Sequence, residues 1–286
     1  MLVTPGTDDT SLRPRINPYV SDRLTLVINY PQSAGPVIAD KSGQPAFLAP
    51  SYDKSKEVAI ERNLVAIDQI GRDDTIPRLV ANGYSQGADA LGDALERSVT
   101  AGTLNTSKTS AVITSDPRGP WGLKAFFAEH PLINPLGGIF GASLNGARNP
   151  AATGDTQVYQ VIVTGDPVAN WQWNPLRPAA SMEVNAAGFK YIHSDPSGYG
   201  DLTRYGSPTL YKSVNGNTTY IVYRSLHPLT YARIDASTQA GHVPTSSEIQ
   251  QWDQASEAYF PLSVPSTGNA AVPVAQYSGT QPLVTR

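Results

Sequence analysis

The segment at residues 78–95, RLVANGYSQGADALGDAL, most constrains the fold, because a strand pattern is followed almost directly by a helix pattern. Residues 78–84 are a short apolar run of the kind that forms a buried strand. The following residues place Leu91, Leu95 and Val99 four positions apart, on one face of a helix. A strand that leads into a helix is the repeating unit of α/β folds.

Four more apolar runs resemble this strand, and they lie at 2–5, 24–30, 111–115 and 158–164. Continuous apolar runs are typical of parallel strands that helices cover on both faces. A helix pattern also follows Ser51, a favourable N-cap, and its apolar stripe contains Val58, Ile60, Leu64, Val65 and Ile67. The order predicts an α/β fold with a doubly wound, five-stranded, mainly parallel sheet.

The second half of the chain has a less regular pattern. A segment rich in Gly, Pro and aromatic residues begins near residue 117, and we expect a packed insertion bordering a cleft. Residues 176–192 favour a helix, and Asn215-Gly216 predicts a type I′ turn in a C-terminal β-hairpin. Residues 261–286 show no periodicity, so we expect one domain at 1–260 and an extended tail at 261–286.

Composition excludes several classes of function. The net charge of −3, with no basic run, argues against a nucleic-acid partner. No apolar run approaches the ~20 residues that cross a bilayer, and Met1-Leu2-Val3 opens no signal-peptide pattern. Cysteine is absent and the His residues lack a metal-binding spacing, so we expect neither a metal nor another cofactor.

Gly83-Tyr84-Ser85-Gln86-Gly87 matches the G-x-S-x-G pattern. With a strand before it and a helix after it, this pattern predicts a nucleophile elbow that exposes the Ser85 hydroxyl at the end of the strand. The N–H of Gln86 would then donate to an oxyanion, helped by the N-terminus of the helix. The alternative is a chance match in a chain that contains 24 Gly.

A serine nucleophile needs a histidine base and an orienting acid. Asp116 and Asp166 both end predicted strands, and Asp166 is the better candidate because it follows the second strand after the serine. Chain order then allows three histidines as the base, namely His193, His227 and His242. His130 precedes Asp166 and is expected to lie at the surface or in a cleft, so spacing alone leaves the base open.

Several motifs together resemble a known family. They are VTPGT, INYPQS, GYSQGA, SDPRGPWG, GDPVANW, NAAGFKYIHSDPSGY and NTTYIVYRSLHPL, between about residues 2 and 235. They resemble the PE-PPE domain, a serine-hydrolase module best known from mycobacterial proteins, within the cutinase-like α/β-hydrolase superfamily. Mycobacteriophage lysin B enzymes, which cleave a mycolyl ester of the cell wall, are similar in the same core motifs.

The resemblance implies roles for particular residues. Ser85 matches the nucleophile, Asp166 matches the cutinase acid, and Thr7 matches a hydroxyl-bearing contributor to the oxyanion hole. The PE-PPE pattern favours His193 as the base, whereas the late histidine of lysin B enzymes favours His227. The chain also departs from its relatives, since it lacks the disulfides of cutinases and has Asn170 where many PE-PPE sequences have a second Asp.

The function expected from these residues is hydrolysis of a lipid or other acyl ester through an acyl-enzyme. Aromatic and aliphatic residues of the insertion are candidates for an acyl-chain groove or for core packing. They are Trp121, Phe126, Phe127, Leu132, Ile133 and Phe140, and Trp171 and Trp173 after the acid could line the same groove. The alternatives are acyl transfer to trehalose-type glycolipids, a lysin B-like mycolyl-arabinogalactan esterase, and a non-catalytic wall-binding or virion protein. The resemblance also suggests action at the cell envelope or a phage origin.

Overall fold

The structure is a computed structural model and describes residues 1–10, 12, 23–130 and 141–279. The described residues form one sheet, and its strands are β1 (Leu2–Thr4), β2 (Leu26–Val27), β3 (Leu79–Tyr84), β4 (Thr109–Thr114), β5 (Gln157–Val163), β6 (Thr209–Ser213), β7 (Thr218–Tyr223) and β8 (Val274–Gln276). Their order across the sheet is β2-β1-β3-β4-β5-β7-β6-β8. Strands from β2 to β7 in this order run parallel, and β6 is antiparallel to both β7 and β8.

Helices connect most of these strands. Their bounds are α1 (Tyr52–Gly71), α2 (Gln86–Thr100), α3 (Leu123–Glu129), α4 (Pro178–Gly188), α5 (Pro196–Gly200), α6 (Pro228–Gln239) and α7 (Ser246–Tyr259). One turn of π-helix, Phe189–His193, continues α4. The α/β class predicted from the sequence is therefore confirmed, although the described sheet has more strands than the predicted five because the hairpin and the C-terminal segment both join it.

The sheet buries both of its faces. Side chains alternate along β4, so that Ala111 and Ile113 pack in one core with Leu91 of α2, whereas Val112 packs in another with Ile192 and Tyr199. Helical segments therefore cover both faces, which explains why the strand sequences are continuously apolar.

Two predictions at the first edge of the sheet are wrong. The predicted buried strand at 24–30 is a strand only at Leu26–Val27, and both residues are exposed because, among the described residues, β2 is an edge strand beside β1. Val65, placed in the apolar stripe of α1, is also exposed, while Ile60 and Ile67 are buried as expected.

The hairpin forms, but without the predicted type I′ turn. β6 ends at Ser213 and β7 begins at Thr218, so four residues connect the two strands instead of two. Type I′ requires positive φ at both central residues, and of the pair Asn215-Gly216 only Gly216 has it. The Ser213 hydroxyl accepts a hydrogen bond from the Thr218 N–H at 3.1 Å and so closes the loop with a side chain.

The C-terminal third contains elements that the sequence analysis did not anticipate. Helices α6 and α7 follow the hairpin, and α7 begins with a capping box between Thr245 and Glu248. After residue 260 the chain returns to the sheet, where β8 pairs with β6. The division into a domain at 1–260 and a tail stays a prediction, but the tail region includes a strand of the sheet.

A cluster of buried or mostly buried charges connects α1 and α2 with the insertion. Asp89 accepts from Lys124 at 2.7 Å and Asp93 accepts from Lys56 at 3.1 Å. Its four acidic and four basic members balance in charge, and they are Asp89, Asp93, Glu96, Asp116, Lys56, Arg118, Lys124 and Arg148. Pairing of this kind is what allows charges to be buried.

Candidate active site

Ser85 sits in the turn between β3 and α2. Its backbone has φ 56° and ψ −121°, a conformation that is unfavourable for a residue with a Cβ. Its N–H donates to the Thr114 carbonyl at 3.1 Å, which fixes the turn to β4. The side chain lies at the carboxyl end of the strand, as expected of a nucleophile elbow.

Gly83 and Gly87 permit the sharp turn. A Cβ on Gly83 would lie 2.7 Å from the Gly87 carbonyl oxygen. A Cβ on Gly87 would lie 2.2 Å from the carbonyl oxygens of Thr4 and Pro5. Only glycine therefore allows α2 to approach β3 and the segment after β1 so closely.

The structure brings Ser85, His193 and Asp166 together. Ser85 Oγ is 3.0 Å from His193 Nε2, and His193 Nδ1 is 3.1 Å from Asp166 Oδ1. Ser85 and His193 are only 8% and 5% exposed, and Asp166 is fully buried. Three residues far apart in the sequence thus form a continuous chain of hydrogen bonds.

Asp166 is held as an anion. Its Oδ1 accepts from the Val168 N–H at 3.0 Å, and its Oδ2 accepts from the Ser115 and Tyr199 hydroxyls, each at 2.5 Å. Burial alone would raise the pKa of Asp166, but the charge of His193 and the hydrogen bonds from His193, Ser115 and Tyr199 outweigh burial and lower the pKa below its usual value. Burial, together with the charge of Asp166, raises the pKa of Tyr199 well above its usual value, so the Tyr199 hydroxyl remains a donor.

The turn of π-helix places His193. The Ser194 N–H donates to the Phe189 carbonyl, five residues earlier, at 2.8 Å. The imidazole lies between two aromatic rings, with ring centroids 5.2 Å from Tyr84 and 5.0 Å from Phe189. The Tyr84 hydroxyl also donates to the His193 carbonyl, so both the ring and the backbone of His193 are fixed.

His227 does not contact Ser85. Its Nε2 lies 2.9 Å from the Phe260 carbonyl, and its Nδ1 accepts from the Leu229 N–H at the start of α6. Burial lowers the pKa of His227. Both ring nitrogens therefore have structural partners, and of the two histidines only His193 forms a hydrogen bond with the serine.

The other histidines are also engaged elsewhere. His130 Nδ1 is 2.8 Å from the Phe126 carbonyl, and His242 Nε2 is 3.0 Å from Glu248 Oε1. Both are exposed.

The alternative acid has a different set of partners. Asp116 accepts from Arg148 Nε at 3.1 Å and from the Arg118 N–H at 2.9 Å, as a member of the charge cluster. Asn170, four residues beyond Asp166, accepts from the Gly165 N–H and donates to the Ser263 carbonyl. Asn170 thus stabilises the turn that carries Asp166.

Gln86 and the loop that contains Thr7 both lie next to Ser85. The Gln86 side chain is fully used, since its amide donates to the Ser33 and Tyr52 carbonyls and its oxygen accepts from Ser55. Its backbone N–H is at the first position of α2, next to Ser85. A Cβ on Gly6, the neighbour of Thr7, would lie 3.0 Å from the Ser85 Cβ, so this loop passes beside the serine. Their oxyanion roles stay predictions.

Sequence reasoning missed Ser115 and Tyr199. The Ser115 Oγ lies 3.0 Å from His193 Nδ1 in addition to its bond with Asp166. Ser115 follows β4 at a carboxyl end, where functional groups of parallel sheets gather, and this position was an available signal. Tyr199, in the five-residue helix α5, carried no comparable signal.

The aromatic residues of the insertion divide into two groups. Trp121 belongs to a core cluster with Tyr211 and Tyr220. Phe126 and Phe127 instead contact the two tryptophans that follow the acid, with Phe127 5.3 Å from Trp171 between ring centroids. Leu132, Ile133 and Phe140 lie outside the described residues.

The described part of the chain contains no helix that is both long and apolar enough to span a bilayer. Within the same residues, no group of three or more His, Asp or Glu side chains is arranged to hold a metal ion.

Solved structures that match this structure in a structural comparison include several esterases. The catalytic core domain of acetyl xylan esterase from Trichoderma reesei is 19% identical, with 67% of this chain and 92% of that chain covered and a TM-score of 0.38. An esterase from Pyrobaculum calidifontis is 11% identical, with 90% and 76% covered and a TM-score of 0.38. Naproxen esterase from Bacillus subtilis is 13% identical, with 84% and 82% covered and a TM-score of 0.35. Likenesses at these scores do not bear on function.

The sequence itself gives a stronger relation. No curated protein matched the chain. The model of the PE-PPE domain family, however, matches residues 22–235, well over half of the chain. This match includes Ser85, Asp166 and His193. The chain therefore belongs to the PE-PPE domain family.

Proposed function

We propose that the protein is a serine carboxylic ester hydrolase that acts on lipid or other acyl esters through an acyl-enzyme. The observation that carries this proposal is the hydrogen-bonded chain from Ser85 through His193 to Asp166, at 3.0 and 3.1 Å. Nucleophile, base and orienting acid in this arrangement are typical of serine acyl transfer on unrelated folds.

The first half of the reaction forms the acyl-enzyme. His193 Nε2 removes the Ser85 hydroxyl proton as Oγ bonds to the carbonyl carbon of the ester. The N–H groups of Gln86 and Thr7 hold the oxyanion, and one such donor contributes roughly 3 kcal/mol. The intermediate then releases the alcohol, which takes the proton from His193.

The second half repeats these steps with water. His193 removes a proton from water as its oxygen attacks the acyl carbon, and the carboxylic acid leaves as Oγ regains the proton. Asp166 remains ionised throughout and stabilises the imidazolium in both halves. The lowered pKa of Asp166 supports this role, because the carboxylate stays charged where ester hydrolysis proceeds.

The surroundings of His193 favour an apolar substrate. Phe189 stacks on the imidazole and is 44% exposed, so it offers apolar surface next to the reacting groups. Met182, seven residues earlier in α4, is also exposed. An acyl chain or a lipid alcohol would remove this surface from water.

The test is hydrolysis of p-nitrophenyl esters of increasing chain length. We expect Ser85→Ala to reduce kcat by at least about 10³-fold, because the nucleophile is lost. Ser107→Ala is a matched control, since Ser107 is exposed and bonds only Asn105 among its side-chain partners. A fluorophosphonate probe should add its mass to the wild type and not to Ser85→Ala.

Two outcomes would contradict the proposal. Full activity in Ser85→Ala would show that Ser85 is not the nucleophile and that the proposed acyl-enzyme does not form. Acyl transfer that outruns hydrolysis when trehalose is present would replace the hydrolase by an acyltransferase that uses the same three residues.

A further inference from the structure

Ser115 occupies an unusual position for a serine. It follows β4 with φ 55°, a positive value that is unfavourable for a residue with a Cβ. Its side chain is completely buried, and its N–H continues the sheet by donating to the Val161 carbonyl at 3.0 Å. Glycine would adopt this backbone without strain, so the hydroxyl is what serine adds here.

The hydroxyl contacts both partners of the acid–base pair. It lies 2.5 Å from Asp166 Oδ2 and 3.0 Å from His193 Nδ1. An ionised carboxylate only accepts hydrogen bonds, so the Ser115 proton points to Asp166. A lone pair of Oγ is then directed to His193, and the Nδ1–H is shared between Ser115 Oγ and Asp166 Oδ1.

Tyr199 shares with Ser115 the contact to Asp166 but not the contact to His193. Its hydroxyl also donates to Asp166 Oδ2, at 2.5 Å, and accepts from the Val163 N–H at 3.2 Å. None of these bonds reaches the imidazole. The difference between Ser115 and Tyr199 is therefore the bond to Nδ1.

We propose that Ser115 is a positioning residue that fixes the plane and tautomer of the His193 imidazole. This inference rests on the proposed hydrolase function. The Nδ1–H has two acceptors, Ser115 Oγ and Asp166 Oδ1. The proton therefore stays on Nδ1, and the Nε2 lone pair stays directed at Ser85. After proton transfer, the same two acceptors hold the imidazolium until it protonates the leaving alcohol.

The experiment compares Ser115→Gly with Tyr199→Phe, using p-nitrophenyl butyrate as the substrate. Ser115→Gly removes the hydroxyl and relieves the strained φ, so we expect a folded protein. Its kcat should fall about 10- to 100-fold, the range for a hydrogen bond to a charged group, with KM changed less than about 2-fold. Tyr199→Phe should lose less kcat than Ser115→Gly, although it loses thermal stability.

A spectroscopic measurement reports on the imidazole directly. In protein labelled with ¹⁵N-histidine, the Nδ1–H proton of His193 should give a sharp resonance in the wild type and in Tyr199→Phe. In Ser115→Gly this resonance should broaden through faster exchange with water. Ser115→Ala keeps the wild-type backbone strain and should match Ser115→Gly in both measurements.

Each failure has a distinct signature. If Ser85→Ala is inactive while Ser115→Gly keeps wild-type kcat and a sharp resonance, the positioning role is wrong and the hydrolase stands. If kcat falls no more in Ser115→Gly than in Tyr199→Phe, the Ser115 hydroxyl acts only through its hydrogen bond to Asp166, and the positioning of His193 is wrong. If Ser85→Ala is fully active, the hydrolase itself is wrong.

Discussion

At the scale of single residues, two buried histidines have different partners. His193 Nε2 is 3.0 Å from the serine, whereas His227 uses one ring nitrogen to cap α6 and the other to contact Phe260. Both follow Ser85 and Asp166 in the order Ser, Asp, His along the chain, so spacing along the sequence does not distinguish them. The distinction is three-dimensional, because it depends on which ring nitrogens are already occupied.

We therefore expect His193→Ala to reduce kcat per folded molecule by at least about 10³-fold. His227→Asn is the matched variant, because Asn preserves an N-cap for α6. It should retain kcat per folded molecule and lower the melting temperature. Ester hydrolysis and thermal unfolding of both variants measure this, and a dead His227→Asn beside an active His193→Ala would exchange their roles.

At the scale of elements, the elbow depends on close approach of the backbone. A Cβ on Gly87 would meet the carbonyl oxygens of Thr4 and Pro5, which lead to Thr7. We expect Gly87→Ala to displace this segment and to reduce kcat by about 10²-fold, the cost of a 1 Å misplacement. Gly268→Ala is a control, since a Cβ there has only Ser266 Oγ near it, at 4.0 Å. Unchanged kcat in Gly87→Ala would show that the segment after β1 takes no part in the reaction.

The sequence predicted the central strands well and the periphery poorly. β3, β4 and β5 lie within two residues of their predicted bounds, because strands buried on both faces are marked by unbroken apolar runs. β2 was overextended, because an apolar run such as 24–30 does not reveal how many neighbours the strand has. β8 is only three residues long, and its pairing with β6 is a long-range contact without a local signal.

The same division applies to the candidate site. Ser85 and Asp166 were predictable because each stands at the carboxyl end of an apolar run. Ser115 was not singled out, because its left-handed φ leaves no mark on the sequence. The position of His193 depends on a π-helical hydrogen bond, which the hydrophobic periodicity of the sequence does not predict.

At the scale of the whole molecule, the charge cluster ties the first helices to the insertion. The single side chain of Arg148 donates hydrogen bonds to three carboxylates, those of Asp93, Glu96 and Asp116. Burial would raise the pKa of Asp89 and of Asp93. The charges of Lys124, Lys56 and Arg148 outweigh burial at Asp89 and lower its pKa. The charges of Arg148, Lys56 and Arg118 outweigh burial at Asp93 and lower its pKa as well. The cluster therefore couples stability to pH.

We expect the free energy of unfolding to fall as the pH drops below about 4. The pKa of Asp89 and of Asp93 is lower in the folded state than the usual value of 3.8, so their ionised forms stabilise the fold fully above that value. The stabilisation is lost as the pH falls toward the folded values. Urea unfolding between pH 7 and 2 measures this dependence. Asp89→Asn should flatten the dependence of the unfolding free energy on pH and lower that free energy by about 3–5 kcal/mol at pH 7. Asp155→Asn is the control, because Asp155 is exposed, and it should leave the dependence unchanged. Equal curves for the wild type and both variants would contradict the prediction.

The π-helical turn makes the geometry of the site depend on chain length. Each residue of a regular helix advances about 100° around the axis, and the turn at Phe189–His193 contains one residue more than an α-helical turn. A deletion of one residue there would restore a regular helix and turn His193 away from Ser85. Related sequences with the same chemistry can therefore exchange side chains in this turn, but insertions and deletions should be confined to the segments before and after it.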